Sequence, residues 1–120
     1  MMDKRLLGKW GEALAAEYLR KKRYRLAAVN YYTRFGEIDI IAEKRGVVAF
    51  IEVKLRKNKN FASAREFVSP SKCDKIKMCA RLWLSNNPTK SQPRFDVIEI
   101  YAPDGINGRA DIEHIENAFT

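Results

Sequence analysis

Histidine and cysteine are scarce in this chain of 120 residues, which holds one His and two Cys. Cys73 and Cys79 are six positions apart. On a helix they point away from each other, and they match no zinc spacing. This argues against a disulfide framework or a Cys/His zinc centre and for free thiols in a reducing cytosol. His114 has no second His or Cys beside it, so no catalytic role is assigned to it. Long apolar runs are missing too: none approaches the ~20 residues that span a bilayer. The opening MMDKRLLGKWGEAL has charges but not the apolar core of a signal peptide. There is no internal repeat and no low-complexity segment. The expectation is a cytoplasmic protein with no membrane partner.

What is abundant is positive charge and core-forming side chains. Hydrophobic residues make up 46% of the chain, enough for one core at ordinary single-domain size. Residues 1–120 are therefore read as one domain. Lys and Arg number 23 against 15 Asp and Glu, a net charge of +8. An excess of this size favours a polyanion, nucleic acid ahead of an anionic membrane surface. A solvated surface that happens to be basic is the plainer alternative.

Residues 3–22 read as a helix, with Leu7, Trp10, Leu14 and Tyr18 as one stripe and Gly8, Ala15, Ala16 and Leu19 as a second. Strands are expected at 24–32, 36–43 and 47–55, the last almost continuously apolar as a central strand would be. Arg45-Gly46 separates the second and third, implying a hairpin. Residues 56–68 are basic, with Phe61 and Phe67 interleaved, and read as a loop. Ser69-Pro70 starts a second helix to about Ser85, with Ile76, Cys79, Ala80 and Trp83 facing inward. A strand follows at 94–101, and then a tail read as a short strand running into a helical turn. The order α-β-β-β-α-β gives an α/β sandwich with a sheet flanked by helices.

Asp39, Glu52 and Lys54 stand out, because each lies in a strand that otherwise reads as core. Buried charges are costly unless paired, metal-bound or at a wet edge. A two-residue turn at Arg45-Gly46 pairs Lys44 with Val47, and so sets Asp39 opposite Glu52 and Glu37 opposite Lys54. Opposed Cβ atoms lie ~4.5–5.5 Å apart, so two carboxylates there repel unless a cation intervenes. A hard divalent ion such as Mg²⁺ suits them. The plainer alternative is an Asp39–Lys54 or Glu37–Lys54 ion pair. Arg-Gly is not a strong turn signal, so the register awaits coordinates.

The strings Gly36-Glu37-Ile38-Asp39 and Phe50-Ile51-Glu52-Val53-Lys54-Leu55-Arg56 resemble the D…ExK signature of the PD-(D/E)xK nuclease superfamily. More closely, the chain resembles the small bacterial YraN-like family, UPF0102. The likeness takes in Gly11-Glu12, Asn30, Val68, Lys72 and Arg94-Phe95-Asp96-Val97. The family usually carries Thr-Arg where this chain has Leu55-Arg56. The resemblance implies a restriction-endonuclease-like fold and metal-assisted phosphodiester hydrolysis. Asp39 and Glu52 would hold Mg²⁺ or Mn²⁺, helped by the Val53 carbonyl. Lys54 would orient the attacking water or stabilise developing charge. Glu12, among small neighbours on the first helix, is a fourth catalytic candidate; a surface Glu paired with Lys9 is the alternative.

Arg34, Arg56, Lys57, Lys59, Arg65, Lys72, Lys75 and Lys77 are candidate phosphate contacts, each singly no more than a solvated charge. Glu37 and Asp96 are candidate supports behind the site, Asp96 equally a structural partner for Arg94 or a lysine. Trp10 and Trp83 fit helix core stripes. The leading expectation is an endonuclease on DNA, by analogy branched or structured DNA cut by a two-fold homodimer. A non-catalytic nucleic-acid-binding module and an RNA nuclease are the alternatives.

Overall fold

The computed structural model describes residues 4–57 and 68–120. Helix α1 (Lys4–Lys21) leads into strands β1 (Arg25–Thr33), β2 (Gly36–Lys44) and β3 (Val47–Arg56). Helix α2 (Pro70–Asn86) then precedes β4 (Gln92–Tyr101), a 3₁₀ turn at Gly105–Asn107, and β5 (Asp111–Phe119). The five strands form one sheet in sequence order. Every neighbouring pair is antiparallel except β3–β4, which is parallel because α2 carries the chain back across the sheet. The protein is thus an α/β sandwich of a mixed sheet and two helices. Among the described residues no helix is long and apolar enough to cross a membrane.

Two cores form, one on each face. Under α2, Ile76, Cys79, Ala80 and Trp83 pack on Ile38, Ile41, Val48, Phe50 and Val97. Under α1, Ala15, Ala16 and Leu19 pack on Ile40, Ala42, Ala49, Ile51, Ile98 and Ile100. β3 is apolar on both faces because it faces both cores. The α2 stripe and the Ser69 cap match the sequence reading, and the Ser69 side chain accepts a hydrogen bond from the Lys72 amide. The α1 stripes need revision. Gly11, Ala15, Ala16 and Leu19 are the fully buried set, whereas Leu7, Trp10, Leu14 and Tyr18 are half-buried and Gly8 is exposed. Small residues let α1 lie close on the sheet: a Cβ on Gly11 would sit 3.7 Å from Leu55 Cδ1 and 3.8 Å from Ile100 Cδ1.

The β2–β3 hairpin has the expected register, Lys44 against Val47. Arg45 (φ 47°) and Gly46 (φ 81°) both take positive φ, as the favoured two-residue hairpin turn requires. The expected helical turn at the C-terminus is absent. Residues 111–119 continue as strand, paired to β4 through Tyr101↔Asp111 and on to Phe95↔Phe119. The apolar positions Ile112, Ile115 and Ala118 seal the two cores along that edge.

Asp96 belongs to this edge. It is fully buried and takes both forks of the Arg94 guanidinium at 2.8 Å, His114 Nε2 at 2.8 Å and the Asn117 amide at 3.0 Å. Arg94 also donates to the Tyr24 hydroxyl at 2.7 Å. Burial alone would raise the Asp96 carboxyl, but these donors outweigh it and hold it below the ordinary carboxylate value. The carboxylate also satisfies an amide at a break in the β4–β5 ladder, where Asn117 has φ 53°. Asp96→Ala would leave a guanidinium, an imidazole and an amide without their acceptor. We expect it to cost about 3–5 kcal/mol, read as a lowered urea midpoint at pH 7.

Candidate functional site

The site begins where a ladder stops. β2 and β3 pair from the Lys44–Val47 end as far as Ile40 and Ile51. One step further the same register would oppose Asp39 to Glu52, and two steps beyond that Glu37 to Lys54. Those pairs are not formed. The Val53 amide donates instead to Asp39 Oδ2 at 2.8 Å, so a side-chain oxygen closes the ladder and the strands part. β3 stays in place because its pairing with β4 continues to Arg56↔Tyr101.

Asp39 and Glu52 are brought together without being ladder partners. They are only 8% and 6% exposed. The Asp39 carboxyl is pushed from its ordinary 3.8 to about 7, first by burial and then by the Glu52 charge. The Val53 amide pulls it back, and Glu12 and Glu37 add to the rise. Two lysines answer Glu52, both at Oε1: Lys72 Nζ at 2.7 Å and Lys54 Nζ at 3.5 Å. Lys72 reaches in from the first turn of α2 and is 45% exposed, so the pair is open to solvent on that side. Burial pulls the Lys72 ammonium down, but the Glu52 hydrogen bond and the fields of Glu52, Asp39 and Glu37 leave it above its ordinary value.

On the opposite side, α1 presents Glu12. Its carboxyl is raised, chiefly by burial, against a lowering hydrogen bond from Asn30, with Glu37 and Glu52 raising it and Lys9 lowering it. Of its neighbours Asn30 lowers it most and Lys9 less. Beside Lys72 a cavity of about 310 Å³ opens between the start of β2 and the start of α2, lined among others by Glu37, Ser71, Lys72 and Lys75.

The remaining expectations divide. Lys75 lines that cavity, and Glu37 stands exposed at its rim. Arg34 lies in the β1–β2 turn with its guanidinium over the Phe35 ring, 4.9 Å from the centroid. Arg56 is turned toward the buried Glu99, Nε to Oε1 4.0 Å. Lys57 is exposed at the end of β3. Lys59 and Arg65 lie outside the described residues. Asp96 sits in the Arg94–His114 network, and none of its hydrogen-bond partners is Asp39, Glu52, Lys54 or Lys72. Sequence reasoning missed that Lys72 pairs directly with Glu52; its place in the first turn after the Ser69 cap was the available signal. It also gave Val53 only a carbonyl role, whereas its amide holds Asp39. Among the described residues, no group of three or more His, Cys, Asp or Glu is arranged to hold a metal ion.

Residues 11–100 match the uncharacterised protein family UPF0102. The chain belongs to that family. Full-length relatives carry the same description. A UPF0102 protein of Syntrophomonas wolfei is 44% identical over 116 residues, covering 96% of this chain and 98% of the relative. One from Vibrio parahaemolyticus is 41% identical over 122 residues, covering 100% and 97%. One from Caldanaerobacter subterraneus is 39% identical over 119 residues, covering 98% of each. The matched stretch of this UPF0102 chain contains Glu12, Asp39, Glu52, Lys54 and Lys72.

The raised Asp39 carboxyl has a consequence for stability. Between its unfolded value of 3.8 and its folded value of about 7, the native state keeps a proton that the unfolded state has released. Stability therefore falls as pH rises through that window, and the loss is complete above it. Asp39→Asn keeps an acceptor for the Val53 amide and removes the charge. Without divalent ions it should stabilise the fold by roughly 1–4 kcal/mol at pH 8 and by almost nothing at pH 4, as checked by urea denaturation at the two pH values.

Proposed function

We propose that this UPF0102 protein is a metal-dependent nuclease with a restriction-endonuclease-like fold, hydrolysing phosphodiester bonds in DNA. The observation that carries this reading is the Asp39–Glu52 pair at the parted end of β2 and β3, with Lys54 and Lys72 beside it. Of the two nearly buried carboxylates, Glu52 has lysine partners, whereas Asp39 is forced up to about 7 by burial and by the Glu52 charge. The α-βββ-α-ββ order and the parallel β3–β4 pair support the fold assignment.

The donor set fits a hard divalent cation that keeps several waters, since it offers two carboxylates and the nearby Val53 carbonyl rather than a full protein cage. Asp39 and Glu52 would hold Mg²⁺ or Mn²⁺. When bound, such an ion supplies charge to the phosphate and a more acidic water. Both lysines approach the same Glu52 oxygen, which leaves Oε2 to serve as the second carboxylate ligand. Lys54 holds its ammonium where charge develops on the phosphate. Lys72, more exposed, trades Glu52 for a substrate phosphate. Lys75 and Arg34 offer further positive charge along the same side. The net charge of +8 makes binding salt-dependent. The branched-DNA substrate and the two-fold dimer remain part of this proposal by analogy with motif order.

One observation favours a second reading, a nucleic-acid-binding module without turnover. The Lys72–Glu52 contact of 2.7 Å neutralises one carboxylate from within the chain. A panel of single-stranded, duplex, flap and junction DNA, with RNA alongside, separates the readings. With Mg²⁺ or Mn²⁺ the protein should cleave at least one DNA, and EDTA should stop it. Asp39→Ala, Glu52→Ala and Lys54→Ala should each lower the rate by about 10²–10³-fold or more, with circular dichroism unchanged. Binding without cleavage across the panel would favour the module. Cleavage of RNA alone would make the protein a ribonuclease, and full activity in EDTA would remove the metal.

A further inference from the structure

Asn30 has no role in the reading above, yet the fold treats it unusually. β1 and β2 pair with Val29 against Ile40 and Tyr31 against Ile38, so Asn30 stands opposite Asp39. It lies inside a strand, not at a turn, and has φ 54°. That left-handed conformation is rare for a residue with a side chain and most tolerable for Asn. Across from it β2 changes facing. Ile38 packs in the core under α2 and Ile40 in the core under α1, although residues two apart in a regular strand share a face. Asp39 is the crossover residue, with its carboxylate in the gap that Val53 closes.

The Asn30 side-chain amide lies near enough to Glu12 to pull its carboxyl down across the space between β1 and α1. The two line one cavity of about 340 Å³ with Lys9, Ala13, Arg20 and others. Glu12 is set among like charges, feeling Glu37 and Glu52 and acting on Asp39. Repulsion favours a rotamer that swings it to solvent and Lys9. An amide donor fixed by the β1 irregularity opposes that swing.

We infer that Asn30 is a positioning residue that holds the Glu12 carboxylate toward the Asp39–Glu52 pair, where it accepts hydrogen bonds from the water shell of the divalent cation. The inference rests on the proposed metal site. Asn30 thereby couples two features of the fold: the same residue that stands opposite Asp39, where β2 changes facing, anchors the acid on α1.

The test uses Asn30→Gly, which keeps the backbone conformation and removes the donor, and Asn30→Ala, which removes the donor and strains the backbone. Mn²⁺ affinity is measured by isothermal titration for the wild type, both variants, Glu12→Ala and the Asn30→Gly/Glu12→Ala double variant. Asn30→Gly and Glu12→Ala should each weaken Mn²⁺ binding about 3- to 10-fold, and the double variant no more than either alone. Asn30→Ala should weaken it equally while also lowering the melting temperature, which separates positioning from stability. The Asn30 side-chain amide resonances should shift in Glu12→Ala. Additive losses, or wild-type affinity in Asn30→Gly, would overturn the inference with the metal site intact. A wild type that binds no Mn²⁺ would overturn the metal site itself and Asn30's part in it; a shifted Asn30 resonance would then leave a structural contact only.

Discussion

The hydrogen bond from the Val53 amide to Asp39 holds the candidate site open. A regular antiparallel ladder would have continued past Ile40 and Ile51, pressing Asp39 against Glu52 at ladder distance. The side-chain oxygen instead satisfies the backbone donor, and so lets the two strands separate without orphaning a buried N–H. The cost is visible in the carboxyl itself, raised to about 7 by burial and by Glu52. Parallel pairing with β4 runs along β3 to Arg56, past the point where its pairing with β2 ends.

Asp96 uses the same device between β4 and β5. There, too, a carboxylate accepts an amide where a ladder is irregular, next to an Asn with positive φ. The surroundings differ. Asp96 is matched by Arg94 and His114 and held below its ordinary value, whereas Asp39 faces other acids and is held above it. A buried carboxylate with its cation present ties structure together, and one short of positive charge is poised to bind a cation. That contrast separates the two, although both are buried acids in strands.

Much of the architecture was legible before coordinates. The Ser69 cap, the α2 stripe, the doubly apolar β3 and the Arg45-Gly46 hairpin all follow from local patterns. The last strand was partly misread, because Ile112 and Ile115 fit a helical spacing as well as a strand, and only pairing to β4 decides between them. Periodicity gave two α1 stripes without saying which is buried deeper, and it left out Gly11. Close packing on a sheet favours Gly11, Ala15 and Ala16.

The sequence by itself determined which residues carry charge inside strands and the alternation that puts Glu52 and Lys54 on one face, and it offered Arg45-Gly46 as a turn whose register only strand pairing fixes. Those depend on neighbours within a few positions. Tertiary structure alone decided where that register ends, that Lys72 from a distant helix reaches Glu52, and that Asp96 meets His114. These depend on which distant groups share a low-dielectric space, and there the strength and sign of each charge interaction are set by burial and distance, not by spacing along the chain.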